Sequence, residues 1–365
     1  MNRTSLFMAW LAGLCLILSG CGESQDTEGF AGLAETPPAS SFAQPSPTDG
    51  IELPDDWGPH PDHRIEWWYL TANLRTEGGE PLGLQWTQFR QGLVSPAQAR
   101  ESLPASRWPL HSAWMAHGAV SFRGQHWFSE RFARGSIGQA GARAEPLRVW
   151  LDHWQLEATG PDRWRLEASG DGWSYRLTLV PGDRMVRHGD QGFSAKADSG
   201  HGSMYFSLTD IAIDGTVTVA GTDYPVTGTG WLDREWSSQF LRSDQQGWDW
   251  FALRLDNGGR LMVFRVGRGE EAFRSGTWVA ADGTAYPLSG DQVRMTPITY
   301  RDTGHGEVPA AWRIRVPAHV VDVTVRAPEG EYWNHGLYPY WESPVTVTGS
   351  SGGQGYMELT GYARP

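Results

Sequence analysis

Residues 228–251 read Gly228-Thr229-Gly230-Trp231-Leu232-Asp233-Arg234-Glu235-Trp236-Ser237-Ser238-Gln239-Phe240-Leu241-Arg242-Ser243-Asp244-Gln245-Gln246-Gly247-Trp248-Asp249-Trp250-Phe251. Four tryptophans, Trp231, Trp236, Trp248 and Trp250, alternate here with Asp233, Glu235 and Asp249. Large apolar rings interleaved with carboxylates are expensive to assemble unless something binds between them. The stretch also divides the chain into two parts that echo each other. Upstream, Glu66 to Leu74 is followed by the turn Glu77-Gly78-Gly79-Glu80 and an alternating strand from Leu82 to Arg90. Downstream, Trp248 to Leu255 is followed by Asp256-Asn257-Gly258-Gly259 and Arg260 to Val266. The closings match too: Val217-Thr218-Val219 and then Val226-Thr227-Gly228 resemble Val345-Thr346-Val347 and then Leu359-Thr360-Gly361.

Strand-length runs at Val149–Ala158, Arg163–Ser169, Trp173–Val180, Ser203–Ile213 and Thr216–Val219 fill the first copy, and His111–Phe122 places His111, Ala113, Met115 and His117 on one face. Only a short helical turn within Ala97–Arg107 fits between Pro96, Pro104 and Pro109. With 45 glycines and 20 tryptophans, the composition suits short strands joined by glycine turns around aromatic interiors. The expected fold is all-β, two tandem β-barrel or β-meander domains at residues 51–236 and 237–365.

The N-terminus reads as an address. Arg3 precedes an apolar run from Leu6 to Leu18, which ends in Leu18-Ser19-Gly20-Cys21. That pattern looks like a bacterial lipoprotein box, with 1–20 a signal peptide, Cys21 the lipidated residue, and 21–50 a Ser/Gly/Pro-rich disordered tether. Gly22 follows rather than aspartate, and the resemblance to Gram-negative lipoproteins then implies export to the outer membrane, facing the periplasm. Cys15 leaves with the signal, so no disulfide can form. The formal net charge is −12 and Lys196 is the sole lysine, which leaves no basic surface for nucleic acid. Neither a metal site nor a cofactor is expected: Pro61 interrupts His60-x-x-His63, and no thiolate remains. Gly349-Ser350-Ser351-Gly352-Gly353 matches a nucleophile elbow formally, but no helix follows it.

Glu66-Trp67-Trp68-Tyr69-Leu70, Met115-Ala116-His117, Asp233-Arg234-Glu235-Trp236 and Gly247-Trp248-Asp249-Trp250-Phe251 resemble the signature segments of the AttH and carotenoid 1,2-hydratase group. The resemblance implies two packed lipocalin-like domains, in a group with hydratases among its members. It also implies an aromatic-x-Asp acid, matched by Trp231-Leu232-Asp233, preceded by a His-x-Trp pair. Counting back places that pair near Met204-Tyr205-Phe206, where the histidine is missing and Phe206 replaces tryptophan.

Hydration of a C=C bond needs a buried carboxylic acid beside an apolar wall, and Asp233 among Trp231, Trp236 and Trp248 fits. The alternative is an ion pair of Asp233 with Arg234 or another arginine, and of Glu235 likewise. Glu66, beside Trp67 and Trp68, is a second candidate, or else a carboxylate bound to Arg64 or Arg90. His63 and His117 are either ligand-contacting or packing residues. The reading favoured is a lipid-anchored protein whose aromatic cavity, lined by Trp67, Trp68, His117, Phe206, Trp231, Trp236, Trp248 and Trp250, binds a lipid, terpenoid or polyene, serving an ABC-type transporter. The alternative is a hydratase or isomerase working through Asp233.

Overall fold

The computed structural model describes residues 41–101, 110–135, 137–239, 247–269 and 271–364. The signal segment, Cys21 and most of the expected tether lie outside them. The start of the described chain, expected as tether, is held in place: Phe42 is buried and the Ala43 amide donates to the Asp62 carbonyl at 2.9 Å.

The chain is nearly all-β; among the described residues there is one α-helix, of six residues, at Pro96–Glu101. Thirteen strands form the first sheet and ten the second, one a nearly closed barrel and the other a half-barrel, as two lipocalin-like domains require. The same four-strand unit anchors each. In the first, the opening strand Ile65–Thr76 lies between its hairpin partner Pro81–Gly92 and the closing strand Thr222–Ser237, which pairs in turn with Gly202–Val219. In the second, Trp248–Leu255 lies between Arg260–Val266 and Gly353–Thr360, and the last pairs with Tyr340–Gly349. Each sheet therefore bonds its first strand to its last, which is how a meander curls round on itself.

Two strand expectations change. Val149–Ala158 is two strands, Arg148–Leu151 and Trp154–Gly160, because the chain reverses at Asp152, whose φ of 53° is a turn conformation. The runs at Ser203–Ile213 and Thr216–Val219 instead join into one strand of 18 residues, bent by a bulge between Leu208 and Ile211. The Gly349–Gly353 segment is a hairpin turn, as its lack of a following helix requires.

Three apolar clusters follow from this arrangement. One fills the first barrel around Trp68, Leu70, Trp86, Phe206 and Leu232. A second fills the other sheet around Phe251, Trp312, Trp341 and Met357. The third joins outer faces of both sheets, with Tyr69, Tyr205 and Trp231 from the first meeting Trp250, Phe264 and Tyr356 from the second. Strands with one face in a barrel and the other in this seam are buried on both sides, which is why residues 230–237 are buried without interruption.

Candidate functional site

Side chains on a strand alternate between faces, so the tryptophan–carboxylate interleaving of residues 231–236 separates into two sets. Leu232, Arg234 and Trp236 point into the first barrel, and Trp231, Asp233 and Glu235 point toward the second sheet. Residues 248–250 divide likewise: Trp248 and Trp250 face the seam, while Asp249 turns inward to an ion pair with Arg265 at 2.6 Å. Part of the apparent cost of mixing rings with carboxylates is thus removed by geometry. What remains is concentrated at Asp233 and Glu235.

These two border a cleft of about 470 Å3 between the sheets. Its first wall carries Trp67, Tyr69, Phe89 and Tyr205, its second Trp248, Trp250 and Glu358, and Leu337 and Tyr338 lie at its edge. Asp233 is 2% exposed. Its carboxyl accepts hydrogen bonds from Tyr205 Oη at 2.7 Å, from Trp231 Nε1 at 2.6 Å and from the Ser207 hydroxyl. None of these donors is a cation. Burial therefore wins over the three hydrogen bonds and pushes the Asp233 carboxyl up to about 7.

A second chain of contacts supports this carboxyl. Ser207 donates to Asp233, so it accepts from His188 Nε2, 2.7 Å away, and Thr277 Oγ1 of the second sheet donates to His188 Nδ1 at 2.8 Å. Burial, reinforced by the charge of Lys196, pushes His188 well below the ordinary histidine range, which keeps the ring neutral in this tautomer. Lys196 Nζ itself lies 3.1 Å from Glu235 and sits over the rings of Phe264, Tyr205 and Trp248, at 4.3, 4.9 and 5.1 Å. The sole lysine thus neutralises Glu235 inside an aromatic cage.

The other expected site residues separate by which face they occupy. Trp68, Phe206 and Trp236 are barrel core and do not meet Trp67, Trp248 and Trp250 at the cleft. Glu66 reaches the rim, but its carboxylate is taken up by Arg90 and Arg234, both ion-paired to it, with His60 alongside. Burial would raise its pKa; the two guanidiniums outweigh that and hold it well below the usual carboxylate range. The Arg90 alternative is thus realised, and Arg234 pairs with Glu66 rather than with Asp233. His117 is fully buried behind the cleft, with Nδ1 accepting from Tyr340 Oη and Nε2 donating to Glu130, both at 2.9 Å. It ties the two sheets together.

The His-x-Trp counterpart also moves. Met204 and Phe206 face the barrel core, whereas Tyr205 and Ser207, one residue later in register, face the cleft and hold Asp233. Sequence reasoning missed Tyr205, Ser207, His188, Lys196 and Glu358. The lysine carried a signal, being the sole one in a chain of this length; His188 carried none.

A family model described as AttH-like matches residues 44–362. A crystal structure of an AttH from Nitrosomonas europaea is 31% identical, with 88% of this chain and 100% of that chain covered and a TM-score of 0.79. Kievitone hydratase from Nectria haematococca shares the fold at 15% identity, covering 90% of this chain and 97% of that one, with a TM-score of 0.65. CghA shares it at 14% identity, 88% and 97% coverage and a TM-score of 0.50. No curated protein matches the chain.

Proposed function

Because the chain belongs to the AttH-like family, we propose that it binds an apolar, unsaturated small molecule in the cleft between its sheets, and that Asp233 donates a proton to a C=C bond of that molecule, as a hydratase or isomerase does. The observation that carries this reading is a carboxyl buried among neutral donors, at the edge of an aromatic cleft, with its pKa raised to about 7. A carboxylic acid that keeps its proton near neutral pH is poised to give it up. Trp67, Trp248 and Trp250 line the cleft, so aromatic rings would border the cation that protonation of an alkene leaves behind. The hydratase named among its fold relatives makes hydration the first reaction to test. Binding without turnover is the second reading, and the three donors favour it, since they hold the carboxyl in place.

The test has two arms. Carotenoids, terpenoids and fatty acids are titrated against tryptophan fluorescence. At least one should quench it saturably, and Trp248→Ala should weaken that ligand by roughly 1–3 kcal/mol. The bound compound is then incubated in 18O-labelled water. Labelled alcohol, or a shifted double bond, formed by wild type and not by Asp233→Asn supports the enzyme; unchanged compound leaves a binding protein. If no compound quenches the fluorescence, both readings fail. We also propose that lipid on Cys21 holds the protein at the periplasmic face of the outer membrane, where it passes its ligand to or from an ABC-type transporter. Cys21→Ser should move it into the soluble fraction, and persistence in washed membranes would refute the anchor.

A further inference from the structure

The duplication places a second acid in the cleft. Aligned by their pairing with the opening strands, the closing strands read Gly228-Thr229-Gly230-Trp231-Leu232-Asp233 and Gly353-Gln354-Gly355-Tyr356-Met357-Glu358. Gly228 pairs with Leu74 and Asp233 with Tyr69, five residues earlier on that strand; Gly353 pairs with Leu255 and Glu358 with Trp250, again five residues earlier. The glycines recur for one steric reason. A Cβ on Gly228 would strike the carbonyl of Asn73, and one on Gly353 the carbonyl of Arg254, so only glycine lets each closing strand lie so near its partner. Glu358 is therefore the structural counterpart of Asp233, carried by the opposite wall of the cleft.

We propose that Glu358 is a catalytic residue: the cleft works with two carboxyls, one from each half of the duplication, and an unsaturated ligand lying between them is protonated by one and deprotonated by the other. The inference rests on the proposed function and names a second group for the same reaction. Glu358 is half-buried and open to the cleft, and behind it Glu342 is fully buried and accepts from Tyr69 Oη at 2.6 Å. Tyr69 and Glu358 both line the cleft. Burial raises Glu358, and the negative charges of Asp233 and Glu235 raise it further; burial and the charge of Glu358 do the same to Glu342. Carboxyls that raise one another in this way do not all ionise together, so protons stay in the group near neutral pH.

In hydration, the protonated member of the Asp233/Glu358 pair gives its proton to one alkene carbon, the π electrons forming the C–H bond. Water then forms the C–O bond at the other carbon, and the ionised member takes the proton that water sheds. In a double-bond shift the same member instead takes a proton from an adjacent carbon, whose C–H electrons become the new π bond. Either way one proton enters the ligand, one leaves, and exchange between the carboxyls through solvent restores the pair.

The infrared absorption of protonated carboxyls, followed from about pH 5 to about pH 10 in the purified protein, tests this. Glu358→Gln should remove about one carboxyl that is protonated near pH 7, and Asp233→Asn should lower the midpoint at which the remaining ones ionise. An unchanged spectrum in Glu358→Gln overturns the proposal. Turnover of a ligand found by fluorescence separates the two levels of inference. Loss of turnover in both Asp233→Asn and Glu358→Gln, with ligand still bound and Glu358→Asp partly active, supports two acids. Loss in Asp233→Asn alone retains the single-acid reading and refutes this one. Glu358→Asp keeps the carboxyl and so also guards against a folding defect in Glu358→Gln.

Discussion

Asp233→Asn should change stability little in mild acid and raise it at alkaline pH. The Asp233 carboxyl stands at about 7 in the folded chain against an ordinary 3.8, a rise of about three units. A group whose folded pKa exceeds its unfolded one binds its proton more tightly in the native state, so stability is lost as the pH climbs from about 4 to about 7. At about 1.4 kcal/mol per unit, the ionised carboxylate costs about 4 kcal/mol above that window. Asparagine never bears this charge. It keeps the bonds from Trp231 and Ser207 through its carbonyl, but its amide cannot accept from Tyr205, a loss of about 1 kcal/mol. Near pH 5, where only part of the penalty has developed, the two effects offset to within about 1 kcal/mol. Near pH 9 the asparagine protein should be the more stable by about 3 kcal/mol. Urea denaturation of both proteins at the two pH values measures the difference. Equal differences at both would show that the carboxyl is not held protonated and would remove the basis of the proposed chemistry.

Glu66→Gln should behave in the opposite way, because its pKa is depressed. The stability Glu66 contributes is present above its ordinary pKa and lost as the pH falls through the folded one. The variant should therefore lose about 3–5 kcal/mol throughout the neutral range, leaving Arg90 and Arg234 buried without their shared counter-ion, and the gap should close in acid; a constant gap down to about pH 2 would refute the ion-pair account. Lys196→Met should cost a similar amount by stranding Glu235, and adding Glu235→Gln should recover most of it. A double variant as unstable as the single one would show that the aromatic cage, and not the charge pair, needs the lysine.

The duplication was legible because each copy opens on an aromatic strand and a glycine turn and closes on a threonine-rich hairpin. Its register was not. Matching Val226-Thr227-Gly228 to Leu359-Thr360-Gly361 looked natural by residue type, but pairing with the opening strands sets Gly228 against Gly353. That shift is what separates a stray glutamate from the partner of Asp233. For the cleft, period-2 counting shows that Trp67 and Tyr69 share a face and that Trp68 and Leu70 share the other. Parity alone does not say which face is barrel interior when both are buried, and so Trp68, Phe206 and Trp236 joined the expected lining. Lys196 and His188 come from the segment between Pro181 and Gly202, whose approach to Glu235 and Ser207 is a tertiary contact without local pattern.

The contrast between Glu66 and Asp233 bears on why the cleft is built this way. Both carboxyls stand at the junction of the opening and closing strands, and Arg234 is the immediate neighbour of Asp233 in sequence. Strand alternation sends that guanidinium to the barrel side, where it joins Arg90 on Glu66. Asp233 receives only hydroxyls and an indole, groups that fix its orientation without neutralising its charge. An ion pair would have removed the penalty of about 4 kcal/mol worked out above, and would equally have left a carboxylate with no proton to give. In native proteins, local rules are expected to be broken at functional or strained sites. Here the uncompensated group faces the aromatic cleft and the compensated one faces the barrel interior, so the destabilisation falls where proton transfer to a ligand would use it.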